Sequence, residues 1–247
     1  MKGKMRTPFK VLSTKICTPA TIKKAADNKI ELVEKPLITI QHTADEGIWQ
    51  QMMRAFEETD QNAVFVFTSS NAIRSLHKVM KQKGYSWPDK AEVACLEGKT
   101  AALSSSLLNA NILCTGKDAE SLSNQIMLTI RKNRQIFFCS GTLRGDLLPD
   151  KMENAGYTLQ EWKVYETRIE PEKLPEIYDG YLFFSPSGVI SFLFANDWPE
   201  NAVAVAIGST TEAALKSSGI SPILVASSPN EESLIDELIK YFTKQHT

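Results

Sequence analysis

The chain has 247 residues, 43 % of them hydrophobic and 23 % charged, with a formal net charge of −1. That length suits one large domain or two ordinary ones, with enough apolar material for cores that need no staple. A near-zero charge without blocks of like sign excludes a bulk nucleic-acid footprint. No apolar run approaches the roughly 20 residues that span a bilayer.

The elements follow in chain order. MKGKMRTPFKVLSTKI is basic, but its apolar run falls short of the roughly 7–15 residues of a secretory h-region. It reads as a disordered leader before a strand in a cytoplasmic protein. Residues 9–39 read as strand, loop, helix, strand, and Pro36–His42 as an extended crossing. VFVF (64–67) is an apolar run without alternation, as a strand buried on both faces should be. It breaks into Thr68-Ser69-Ser70-Asn71 and then a helical pattern, with Ile73, Leu76, Val79 and Met80 on one face and Gly84 as the stop. VACL (93–96) precedes a turn carrying Lys99-Thr100. ILCT (112–115) and IFFC (136–139) follow, the latter breaking into Ser140-Gly141-Thr142. A second crossing runs over Val164–Glu170. Then come YLFFSPSG (181–188), VAVAIGSTTEAAL (203–215) and ILVASSPNEESL (223–234).

The later runs repeat the earlier ones. VFVFTSSNAIRSL matches YLFFSPSGVISFL with Phe67 against Phe184, a shift of 117 residues. In ILCTGKDAESL against ILVASSPNEESL, Glu120 falls on Glu232, a shift of 112. The segment 134–167 has no partner downstream and matches 9–39 instead. The duplication is therefore circularly arranged, giving a discontinuous domain (1–41 plus 166–247) and an inserted one (42–165). Strand–helix alternation makes each an α/β, doubly wound, flavodoxin-like parallel sheet. The two crossings would lie side by side as a two-stranded hinge.

In such sheets ligands bind at the carboxyl ends of the strands. Thr68-Ser69-Ser70-Asn71, Ser140-Gly141, Ser185-Pro186-Ser187-Gly188, Ser209-Thr210-Thr211 and Ser227-Ser228 all fall there, each opening a helix. Singly they read as helix caps. Together, converging on a cleft between two domains, they read as a site for a polyanion held by backbone amides and hydroxyls. Arg144 reads as a solvated helix charge that is also placed to meet a carboxylate. Cys17, Cys95, Cys114 and Cys139 lack metal-ligand spacing and read as small buried hydrophobes. His42, His77 and His246 are dispersed. Trp49, Trp87, Trp162 and Trp198 read as packing or surface.

FTSSNA (67–72), VYET (164–167), FFSPSG (183–188) and AIGSTTEAAL (206–215), in this order, resemble the uroporphyrinogen-III synthase family over nearly the whole chain. One departure is LEGKTAAL, where Gly98 is displaced by one position. The resemblance implies a monomeric, cofactor-free lyase acting on a small-molecule polycarboxylate, with neither nucleic acid nor membrane as partner. Its substrate would be hydroxymethylbilane, which loses its hydroxyl as water and cyclises with inversion of the last ring. Azafulvene and spiro-pyrrolenine intermediates are expected. The resemblance assigns the general acid to Tyr165 and substrate binding to the Ser/Thr loops, Thr100 included. Without the resemblance, a non-catalytic two-domain anion receptor and an FMN carrier remain as alternatives.

Overall fold

The structure, a computed structural model, describes residues 8–42, 46–58 and 63–244. The expected leader falls on residues 1–7, outside the described part.

Eleven strands and nine helices alternate along the described residues. β1 (Phe9–Ser13), α1 (Pro19–Asp27), β2 (Ile30–Glu34) and β3 (Ile38–His42) come first. Next are α2 (Glu46–Glu58), β4 (Ala63–Phe67), α3 (Ser70–Lys83), β5 (Glu92–Leu96), α4 (Lys99–Leu108), β6 (Asn111–Gly116), α5 (Ala119–Thr129), β7 (Gln135–Gly141), α6 (Leu147–Asn154) and β8 (Leu159–Ile169). The chain finishes with β9 (Gly180–Phe183), α7 (Pro186–Ala195), β10 (Val203–Ala206), α8 (Ser209–Ser217), β11 (Ile223–Val225) and α9 (Glu231–Lys244).

These boundaries have local causes. Ser69 and Ser185 cap α3 and α7 through hydroxyls that accept from the Asn71 and Gly188 amides, each at 3.1 Å. Pro186 sits in the first turn of α7, where its missing N–H costs nothing. Gly84 ends α3 with φ +73°, a left-handed conformation that a Cβ would strain. Asp118 and Ser121 close a reciprocal capping box on α5.

The chain divides into two compact units. One joins the chain up to Thr39 with Arg168–Thr247, and the other is Ile40–Thr167. Both crossings lie inside strands, β3 and β8, which are neighbours in one sheet. The first unit holds a sheet in the order β2-β1-β9-β10-β11. Counted along its own chain that is 2-1-3-4-5, the flavodoxin order. The second unit holds β8-β7-β4-β5-β6, with β3 added outside β8. Counted along its own chain the five read 5-4-1-2-3, which is the same sheet with the chain cut elsewhere. Val11, Leu12 and Ser13 of β1 pair in parallel with β9, as β7 pairs with β4.

Each sheet is buried on both faces, which is why its strands read as unbroken apolar runs. Phe65 and Phe67 enter one cluster with Trp49, Trp87 and Trp162, while Val64 and Val66 enter the opposite one with Phe138 and Met152. In the other unit Tyr181 and Phe183 face Phe192, and Leu182 faces Leu234 and Leu238. Trp198 packs half-buried against the cluster around Tyr181.

The structure corrects the repeat register by one residue. The equivalent caps Ser69 and Ser185, and the buried pairs Ala72/Gly188 and Leu76/Phe192, are 116 apart. The cause is Phe184. It extends the apolar run one residue past the end of β9, half-buried beneath the Lys15 ammonium, 5.0 Å from its ring centroid.

Candidate active site

In a doubly wound sheet the loops leaving two adjacent central strands diverge to opposite faces, and a crevice opens at their carboxyl ends. In the Ile40–Thr167 unit those strands are β4 and β7. Thr68–Asn71 leaves the first and Ser140–Thr142 the second.

Tyr165 comes to this point through a defect in the neighbouring strand. β8 alternates until Ser140 pairs with Lys163 and Gly141 with Tyr165, so that Val164 is one residue too many. Without this bulge, Tyr165 would share a face with Glu161 and Lys163. With it, Val164 and Tyr165 are both buried and both join the cluster of Trp162 and Phe67. Two contacts hold the distorted backbone. Ser75, buried on α3, donates its hydroxyl to the Val164 carbonyl. The Thr142 amide donates to the Tyr165 carbonyl at 3.2 Å.

The Tyr165 ring lies across Gly141. A Cβ on that glycine would fall 2.3 Å from Cζ, 2.4 Å from Cε2 and 2.7 Å from the phenol oxygen. The ring thus crosses β7 at its bare residue and brings its hydroxyl to the Ser69 side chain at the end of β4. Burial pushes the phenol pKa above its ordinary value, with the hydrogen bond to Ser69 opposing that rise. At neutral pH the group is a protonated donor.

The other expected residues of this unit divide into two kinds. Thr68, Ser70 and Asn71 are partly exposed around the first turn of α3. Ser140 is buried and its hydroxyl is committed to the Glu161 carboxylate. Arg144 is also engaged, reaching Glu161 through Nε at 2.7 Å and Nη2 at 2.9 Å, and Asp146 as well. This fork holds the Glu161 carboxyl at about 2. The arginine read from sequence as a solvated charge is therefore a bidentate anchor for β8. Thr100 is buried in the first turn of α4, behind Gly98, whose φ is +68°.

In the discontinuous unit the diverging strands are β1 and β9. Ser185 caps α7 and also bonds Ser187 at 2.9 Å. Thr14, which the sequence reading passed over, donates its hydroxyl to the Leu182 carbonyl at 2.8 Å. Its Oγ1 lies 3.5 Å from where a Cβ on Gly188 would sit, an ordinary van der Waals separation that places Thr14 beside the first turn of α7. The signal was available, since 134–167 matched 9–39 and placed the β1 end opposite the Ser140 loop. Ser209 and Thr210 are exposed at the start of α8, whereas Thr211 is buried and its Oγ1 lacks a hydrogen-bond partner. Ser227 and the Ser228 amide both bond Ser233, so that loop is occupied with capping α9.

Among the described residues there is no cluster of His, Cys, Asp and Glu able to hold a metal, and no helix long and apolar enough to cross a membrane.

The fold has counterparts among solved structures. The chain resembles a mutant uroporphyrinogen III synthase from Thermus thermophilus at 17 % identity and a TM-score of 0.72, over 96 % of this chain and 99 % of that one. It resembles the uroporphyrinogen-III synthetase of Helicobacter pylori at 18 % identity and a TM-score of 0.63, over 94 % and 99 %. The wild-type Thermus thermophilus enzyme gives 17 % and 0.57, over 97 % and 100 %. At these identities the likeness is one of fold. A family model described as Uroporphyrinogen-III synthase HemD matches residues 20–236. The chain belongs to the uroporphyrinogen-III synthase family.

Proposed function

We propose that Tyr165 is the general acid of this enzyme, donating its phenol proton to the departing hydroxyl of the bilane. Membership of the family makes the chain a lyase that cyclises hydroxymethylbilane to uroporphyrinogen III. It leaves no support for a non-catalytic receptor. The observation that carries the proposal is the β8 bulge, which turns a protonated phenol across Gly141 to Ser69 at the carboxyl end of the sheet.

The chemistry suits a weak acid. Loss of hydroxide from the bilane is assisted by the adjacent pyrrole nitrogen, so the acid has only to protonate the leaving oxygen as its bond to carbon breaks. Water departs and leaves an azafulvenium whose methylene carbon is attacked by the substituted α-carbon of the last ring. The spiro-pyrrolenine so formed breaks its bond to the neighbouring methylene bridge, that bridge recloses on the free α-carbon, and the proton lost there returns to the phenolate. Holding the two ends of the bilane together is a problem of orientation. We assign the carboxylates of the substrate to the side chains and free amides of Thr68, Ser69, Ser70 and Asn71, of Ser185 and Ser187, and of Ser209 and Thr210, with Gly188 closing the turn through its amide to Ser185. Pro186 contributes only the fixed first turn of its helix. Thr100, Ser140, Gly141 and Thr211 act from behind this layer, since their side chains are buried or absent. Four unpaired cysteines, three of them buried, support a reducing, cytoplasmic setting. A monomer acting without a cofactor completes the reading.

Tyr165→Phe keeps the ring and removes the proton. Such acids contribute typically 10²–10⁴-fold. The expected loss in kcat is near 10²-fold, with a rise in the non-inverted isomer as spontaneous closure competes. In the wild type, kcat should fall at high pH as the phenol ionises, and the raised pKa places that fall above the ordinary phenol range of about 10. A Tyr165→Phe enzyme with unchanged rate and isomer ratio removes the acid from the mechanism.

A further inference from the structure

We infer that Gly141 is a positioning residue for Tyr165, its missing Cβ being the slot in which the ring is aimed. The inference rests on the reading of Tyr165 as the acid. Three of the ring's atoms, Cζ, Cε2 and the phenol oxygen, occupy the space that any side chain on Gly141 would need. The glycine is not there for backbone freedom. It lies within β7, and it is not among the glycines with φ in the left-handed region.

The bulge alone does not fix the ring. It turns Tyr165 onto the buried face, but a side chain there has more than one rotamer available. The bare backbone of β7 admits the rotamer that lays the ring flat across the strand and carries its hydroxyl to Ser69. A methyl at 2.3 Å from Cζ forbids that rotamer, and the obstacle is the ring itself. The ring must swing away and take its hydroxyl off Ser69, while the paired backbone of β7 and β8 stays in place.

The test is a double-substitution cycle with a spectroscopic readout. Gly141→Ala should lower kcat by about the same factor as Tyr165→Phe, on the order of 10²-fold, with KM changed little. Tyr165→Ala empties the slot, so Gly141→Ala in that background should leave kcat within about 2-fold of Tyr165→Ala alone. Ultraviolet difference titration against Tyr165→Phe should show the Tyr165 phenol titration of Gly141→Ala displaced from that of the wild type, because the ring changes its burial and loses the Ser69 hydrogen bond together. Equal losses from Gly141→Ala in the presence and absence of the tyrosine ring would overturn the inference, because Gly141 would then act by itself. An unmoved phenol titration in Gly141→Ala would overturn it as well. If Tyr165→Phe turns over normally while the phenol titration moves in Gly141→Ala, the acid role fails and the positioning stands. Should Gly141→Ala not fold, Gly141→Ala/Tyr165→Ala must fold, because the three atoms nearest that methyl all belong to the Tyr165 side chain.

Discussion

The two units are copies of one sheet, yet only one of them carries a phenol at its carboxyl edge. Ser13 and Phe138 occupy equivalent places, each paired to residues 116 apart, Leu182 and Val66. Ser13 pairs with Glu34 and Phe138 with Glu161, so the two glutamates also correspond. Counting on, buried Leu37 takes the place of buried Val164, and Ile38 takes that of Tyr165. Even the glutamates differ in use. Glu34 accepts the Cys17 amide and holds a loop, while Glu161 accepts Ser140 and Arg144 and holds the strand that carries the tyrosine. Duplication supplied two like scaffolds, and the phenol at the bulge of β8 has no counterpart at Ile38.

If the scaffolds are equal, equivalent core losses should cost alike. Phe65 and Tyr181 are equivalent and almost fully buried. Phe65 packs on Phe137, Trp87 and Trp162, and Tyr181 on Phe192, Trp198 and Tyr178. Phe65→Ala and Tyr181→Ala should each cost about 3–5 kcal/mol. Tyr181→Ala should lie higher by about 1 kcal/mol, because its hydroxyl accepts the Tyr178 amide. Denaturant unfolding gives the totals, and hydrogen exchange shows which unit loosens. A cost confined to one of the two substitutions would break the equivalence.

The Arg144–Glu161 fork belongs to the inserted unit alone, which makes it the next test. Glu161→Gln should cost about 1.5–3 kcal/mol at neutral pH, toward the lower end because each side chain is partly open to water. The sign of its pH dependence follows from the direction of the shift. The Arg144 hydrogen bond lowers the Glu161 pKa from 4.5 to about 2, so its stabilisation is present above 4.5 and disappears as pH falls to about 2. The gap between wild type and Glu161→Gln should therefore close across that window and stay constant above it. A gap that persists at the acid end would mean that the glutamate acts by packing.

The fold was largely legible because both sheets are buried on both faces, which leaves apolar runs of strand length that declare themselves without an alignment. The repeat register slipped by one residue because Phe184 looks like a strand residue and is not one. The site was less legible. A bulge leaves no mark in the pattern of β8, since Trp162, Val164 and Tyr165 are all apolar enough to sit on either face. Gly141 was named for a loop, whereas it lies inside a strand and makes room for a ring. Ser140 was named for a ligand and Arg144 as a solvated charge, but Glu161 twenty-one residues beyond Ser140 takes both, and a partner at that distance has no sequence signature.

The smallest expected difference is the sharpest test of asymmetry, because it rests on one hydroxyl in each copy. Ser75 and Ser191 are 116 apart, both fully buried, on equivalent helices α3 and α7. Ser75 donates to the carbonyl of Val164, the extra residue of the bulge. Ser191 has a buried Oγ without a hydrogen-bond partner among the described residues. The same substitution should therefore act differently in the two units. Ser75→Ala removes a buried hydrogen bond to the Val164 carbonyl and should cost about 1 kcal/mol. Ser191→Ala replaces a buried hydroxyl that gains little from its surroundings, and the change should be near zero or slightly stabilising. The packing change is one oxygen in both, so the difference between the two reports the bond to the bulge. Denaturation midpoints of the two variants, measured side by side, settle the sign. Equal effects would show that the Ser75 bond contributes nothing beyond packing, and that the bulge is held by the strand pairing of β7 with β8.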